Sequence, residues 1–132
     1  MSIKSPSGST FPYHYKGGEI HCLKYGSFHD DKEKLYELME QEKAFIQSRP
    51  AQRLRIWVDF YDTALSGDVV LHFSAHIFSI KSQVLKLAVV GCPFFTKMKL
   101  RRALALTGLS KAIPYEFFTD PEVAKTWLVQ GI

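Results

Sequence analysis

The spacing of apolar residues along this chain changes period repeatedly, and each change marks an element. Glu19–Tyr25 alternates, with Ile20 and Cys22 on one face, which predicts a short strand ended by Gly26. The period then lengthens: Leu35, Leu38, Met39, Phe45 and Ile46 recur at helical spacing opposite a run of acids. Asp30 and Glu33 read as a capping box for that helix, and Pro50 closes it. Arg53–Phe60 returns to alternation, with Leu54, Ile56 and Val58 on one face. Beyond the polar turn, Val70, Phe73, Ile77 and Ile80 recur every three or four residues. Leu71, Ala75 and Phe78 widen that stripe and predict a substantially buried helix. "VLKLAVVG" (84–91) is a nearly continuous apolar run, as in a central parallel strand. A helix from Thr96 to Leu106 stopped by Gly108, a strand over "IPYEFF" (113–118) and a closing helix complete the series. Thr119 and Glu122 read as a capping box around Pro121, and Val123, Ala124, Trp127 and Leu128 form the closing helix's inner face.

The order β-α-β-α-β-α-β-α predicts an α/β fold with a mostly parallel sheet of four to five strands flanked by helices. Residues 1–18, rich in Ser, Gly and Pro, read as a flexible leader that could dock through Phe11 or Tyr13. Residues 19–132 read as a single domain, a length that closes around one core. No apolar run approaches the roughly 20 residues of a membrane helix, and the start has no apolar signal segment, so a cytoplasmic protein is expected. Cys22 and Cys92 stand alone, without the further ligands a zinc site needs, and are expected to be reduced.

In open parallel sheets ligands gather at the carboxyl ends of the strands. Asp59, Asp62 and Thr63 fall at one such end and Gly91, Cys92 and Pro93 at another, so Asp59, Asp62, Gly91 and Cys92 are candidates for a strand-end ligand site. Asp59, Asp62 and Asp68 could also be drawn as a magnesium site for phosphoryl transfer. No phosphate-cradling GxxxxGK[ST] loop accompanies them, and no metal or other cofactor is expected. Ser66 suits an N-cap, with Asp68 complementing the helix dipole, and Thr63 could cap instead. His72 and His76 share a helix face but lack the HExxH pattern, and with Ser79 and Gln83 they read as a solvated polar stripe. A Ser-His-Asp triad would lack its GxSxG elbow.

The net charge of +4 is modest, but its distribution is uneven. Residues 30–42 are acidic, whereas Lys97, Lys99, Arg101 and Arg102 crowd the start of the third helix with no acid beside them. Helix dipoles disfavour cations there, so an anion or an acidic partner is the expected reason for them. Nucleic acid is disfavoured, because no base-stacking or groove-reading motif accompanies the patch.

"VLKLAVVGC", a helix, and then "PYEFFTDPEVAKTWLV" together resemble the second half of STAS-like domains of the SpoIIAA-like branch. The matching positions are Ala88, Val89, Val90, Gly91, Phe117, Phe118, Ala124, Trp127 and Leu128. The resemblance implies a mixed sheet with helices packed against it and a module that regulates by binding. Anti-sigma-factor antagonists of this fold are phosphorylated on a serine in an Asp-Ser-Ser-Gly turn at the start of a helix. The corresponding turn here runs Asp62-Thr63-Ala64-Leu65-Ser66-Gly67, which makes Thr63 and Ser66 the possible phosphoacceptors, with the acid displaced and Leu65 intervening. A non-enzymatic regulatory or interaction module with a protein partner is thus the first expectation. A domain for a small anionic or lipid-like ligand is the second, and a magnesium-dependent enzyme the third.

Overall fold

The computed structural model describes residues 3–131. Strands β1 (Ile3–Lys4) and β2 (Thr10–Phe11) form a small antiparallel ribbon. Strands β3 (Tyr13–Tyr15), β4 (Gly18–Lys24), β5 (Leu54–Asp59), β6 (Val84–Val90) and β7 (Tyr115–Phe118) form one five-stranded sheet whose spatial order follows the chain. β4 to β7 are parallel, and β3 joins the edge antiparallel to β4. The helices are α1 (Lys32–Gln47), α2 (Gly67–Ser79), α3 (Phe94–Leu106), the short α4 (Leu109–Ala112) and α5 (Pro121–Leu128). The protein is therefore an α/β fold with a mostly parallel sheet flanked by helices.

When parallel strands follow one another in order, crossovers of one hand put every connecting helix on the same face. The core shows this. Leu35, Met39 and Ile46 of α1, Phe73 and Ile77 of α2, and Leu100 and Leu104 of α3 pack with Leu23, Ile56, Val58, Leu87 and Val89 of the sheet. The opposite face, bearing Ile20, Cys22, Trp57, Ala88 and Val90, is covered by Ala124 and Leu128 of α5. β4, β5 and β6 are thus apolar on both sides, which explains the unbroken run in β6.

The sequence reading requires several corrections. Its boundary at residue 19 falls inside a hairpin: Lys16 and Gly17, with φ of 45° and 84°, turn β3 into β4. The segment before that boundary carries strands and buries Phe11 and two serines, Ser5 and Ser9. Two caps sit one residue later than expected. Asp31, not Asp30, accepts from the Lys34 amide at 3.3 Å, and Asp120, not Thr119, accepts from the Glu122 amide at 2.8 Å. α3 starts at Phe94 rather than Thr96, because the Pro93 carbonyl already accepts from the Lys97 amide at 2.8 Å. Ser66 caps α2 as the sequence suggests, accepting from the Val69 amide at 3.4 Å.

The stripe on α2 is narrower than its letters imply. Leu71 (61 % exposed), Ala75 and Phe78 face solvent, because α3 covers only the neighbouring side of α2. The supposed polar stripe is in large part interior. His76 is buried with its Nε2 2.8 Å from the Tyr25 hydroxyl, and His72 stacks on Tyr36 with ring centroids 3.7 Å apart. Gln83 is also buried, its amide donating to the carbonyls of Ile46, Arg49 and Gln52 where α1 ends.

Candidate functional site

At the carboxyl ends of β4, β5 and β6 the connecting loops are bonded to one another. The Thr63 hydroxyl donates to the Tyr25 carbonyl at 2.6 Å and accepts from the Phe28 amide at 3.2 Å. The Ser27 amide donates to the Tyr61 carbonyl at 2.6 Å, and His29 exchanges backbone bonds with Asp62 and Ala64. Asp59 accepts from the Tyr61 amide at 2.9 Å through Oδ1. Gly91 closes the arrangement with φ of 84°: a β-carbon there would lie 2.8 Å from Tyr61 N and 3.2 Å from Asp59 Oδ1.

The structure therefore brings Asp59 and Gly91 together and sets Thr63 beside the end of β4, each engaged in holding the loops. Asp62, at φ of 56°, is exposed on the turn. Asp68 points elsewhere, to Lys32 Nζ at 3.3 Å. The three aspartates do not converge: among the described residues no three His, Cys, Asp or Glu side chains are grouped to hold a metal ion. Of the two hydroxyls in the turn, Ser66 is exposed and Thr63 half-buried. Cys92 follows Gly91 half-buried, and burial pushes its thiol up to about 12 against a smaller opposing effect of Lys97. Such a thiol is protonated near neutral pH and a poor nucleophile. Both cysteines are free.

The second candidate region is α3. Its inward side is supplied by Leu100, Ala103 and Leu104. Around the rest of the helix stand Phe94 (63 % exposed), Phe95 (77 %), Met98 and Leu106 (77 %), interleaved with Lys97, Lys99, Arg101 and Arg102. The two phenylalanines meet edge to face at 5.4 Å. Arg101 is partly occupied, lying over Phe117 and 3.7 Å from Glu116. Lys99 and Arg102 border a groove of about 250 Å³ between α2 and α3 whose apolar lining includes Val70, Leu71, Ala103 and Leu106. The four cations noted from sequence thus share one helix with four exposed apolar side chains, but because α3 starts at Phe94 they are spread along it, with Arg101 and Arg102 past its midpoint, rather than crowded at its start.

Phe94 and Phe95 escape a reading that starts the helix at Thr96. The signal was present in "PFF": proline is tolerated at a helix start, and Pro93 is the N-cap, which sets both phenylalanines in the first turn. No family model, curated protein or solved structure matches the chain.

Proposed function

We propose that this protein is a non-enzymatic, STAS-like interaction module that regulates by binding an acidic protein partner through the outer face of α3 and the adjoining α2–α3 groove. The observation that carries this reading is α3 itself: Phe94, Phe95, Met98 and Leu106 stand in solvent among four cations, in a helix without an acid. Alone, that face is costly. Lys97 and Arg101, and Lys99 and Arg102, stand four and three residues apart on α3, where like charges repel, and clustered exposed apolar side chains are the usual mark of a binding surface. An acidic amphipathic segment would answer both features, its apolar side meeting Leu71 and Leu106 and its carboxylates meeting Lys99 and Arg102. The mixed sheet with packed helices agrees with the STAS-like resemblance.

The test is affinity capture from the native host with the retained proteins identified, comparing wild type with Lys97→Gln/Lys99→Gln and with Phe95→Ser. An acidic protein should be retained by wild type and lost from both variants. Its retention should fall as salt rises, since exposed charges are screened over about 10 Å at 0.1 M. The charge variant should melt at or slightly above the wild-type temperature, since it relieves like charges one helical turn apart. Capture indifferent to charge, to Phe95 and to salt would overturn the reading, as would binding to anionic vesicles with no protein retained.

A further inference from the structure

We propose that the recess between the β3–β4 hairpin and the amino end of β5 binds a small molecule bearing an oxyanion, phosphate or carboxylate, on an apolar body. The recess has a volume of about 330 Å³, within the usual range of small-molecule sites. Arg53 and Arg55 line it together with the Gly17–Gly18 backbone, and Phe11, Ile20 and Leu54 add apolar surface. It lies at the opposite ends of the strands from the loops that hold Asp59 and Gly91, and does not share a residue with the α3 face.

The arginines carry the argument. Arg49 is occupied, with its guanidinium over Phe45 and a bond to the Phe45 carbonyl at 3.3 Å, and Arg101 has Glu116. Neither Arg53 nor Arg55 has a carboxylate at ion-pair distance among the described residues. Arg55 Nε is buried and makes no hydrogen bond among those residues. A buried cationic donor left without a partner is costly, whatever the fold around it. The register adds a second cost, because Arg55 pairs across the sheet with Lys86, and like charges side by side repel. Lys86 resolves its own position by turning to the Trp127 carbonyl at 3.0 Å, which leaves Arg55 unanswered. Glu19 also lines the recess, but its carboxylate lies 3.8 Å from His14 Nδ1 rather than against an arginine.

An oxyanion in the recess would supply the countercharge both guanidiniums lack, through their outer nitrogens, since Arg55 Nε itself is closed off. A guanidinium offers parallel N–H donors that match two oxygens of a phosphate or carboxylate. With two arginines lining one recess, the anion would sit between them and its apolar body would lie toward Phe11 and Leu54.

The experiment is an NMR titration of the intact chain with phenyl phosphate, benzoate and inorganic phosphate. Phenyl phosphate or benzoate should give saturable shifts centred on the Gly17, Gly18 and Ile20 amides, and the stronger of the two identifies the anion. Inorganic phosphate should bind more weakly than phenyl phosphate, since it lacks the apolar body. Arg53→Gln and Arg55→Gln should each weaken binding by at least about tenfold, whereas Lys97→Gln/Lys99→Gln should leave it unchanged. Arg53 is exposed, so its replacement keeps the test open even if the Arg55 variant folds poorly. The proposal fails if neither aryl anion gives saturable shifts by about 10 mM, a concentration well above what paired charge-assisted bonds require. It also fails if the shifts persist in Arg53→Gln or follow the α3 variant instead.

Discussion

Buried polar side chains account for much of what single residues do here. Burial lowers His76 from 6.5 to about 4, reinforced by His72 and Lys43 and opposed by Glu42. Burial likewise raises the Tyr25 phenol well above its ordinary range, so the pair is held neutral with one hydrogen bond between them. The sign of the linkage follows. The unfolded chain takes up a proton at His76 near pH 6.5 while the folded chain does not until about pH 4, so stability is full above that window and lost as pH falls through it. The loss should reach about 3 kcal/mol at most by the difference between the two values. Urea unfolding at a series of pH values should show this slope, flattened in His76→Gln, which keeps a polar partner for Tyr25. A wild-type stability level from pH 6.5 to 4 would contradict the assignment. Glu42 also shifts, downward from the ordinary glutamate value. Burial alone would raise it, but His21 at 2.9 Å and the Ser7 amide at 2.9 Å outweigh that and lower it. These residues were illegible as interior from the sequence, since a polar letter on a helix marks the solvent side only when nothing inside the fold can bond to it.

At the scale of elements, boundaries were legible to within a residue or two because strands and helices impose different periods. Facing was less legible. Leu71 and Phe78 have the letters of a buried helix, but whether a stripe is covered depends on where the neighbouring helix lands. The loop residues at the strand ends could be gathered from sequence because alternation puts every β-to-α turn at one end of a parallel sheet. Phe94 and Phe95 could not, because their place on α3 depends on a helix start two residues earlier. α5 offers a check on burial. Leu128 is fully buried, whereas Trp127, expected inward, is half-buried against Phe118 with Lys86 over its ring. Leu128→Ala should therefore cost about 2–5 kcal/mol, and Trp127→Ala less than the 3–5 kcal/mol of a fully buried tryptophan. Chemical denaturation of the two variants decides it, and a larger loss for Trp127→Ala would reverse the assignment of faces.

Across the whole molecule, the alternation of strand and helix was enough to anticipate the parallel sheet, while the amino-terminal strands were hidden by residues that also make loops. The two faces of that sheet are closed very differently. One receives α1, α2 and α3 in turn as the chain proceeds. The other waits for α5, eight residues long, which bonds to β3 of the β3–β4 hairpin through the Tyr15 hydroxyl and Glu122 at 3.1 Å and through Lys125 and the Tyr13 hydroxyl at 3.3 Å. During synthesis the helical side can therefore consolidate strand by strand, whereas Ile20, Cys22, Trp57, Ala88 and Val90 stay bare until this last helix has left the ribosome. A chain stopped after Phe118 should bind a hydrophobic dye and aggregate while retaining helical circular dichroism, and a monodisperse, dye-negative product would show that the sheet does not need its lid. The chain thus carries its greatest exposure to misassembly in the interval between making β7 and seating α5, when α5 has yet to meet the β3–β4 hairpin.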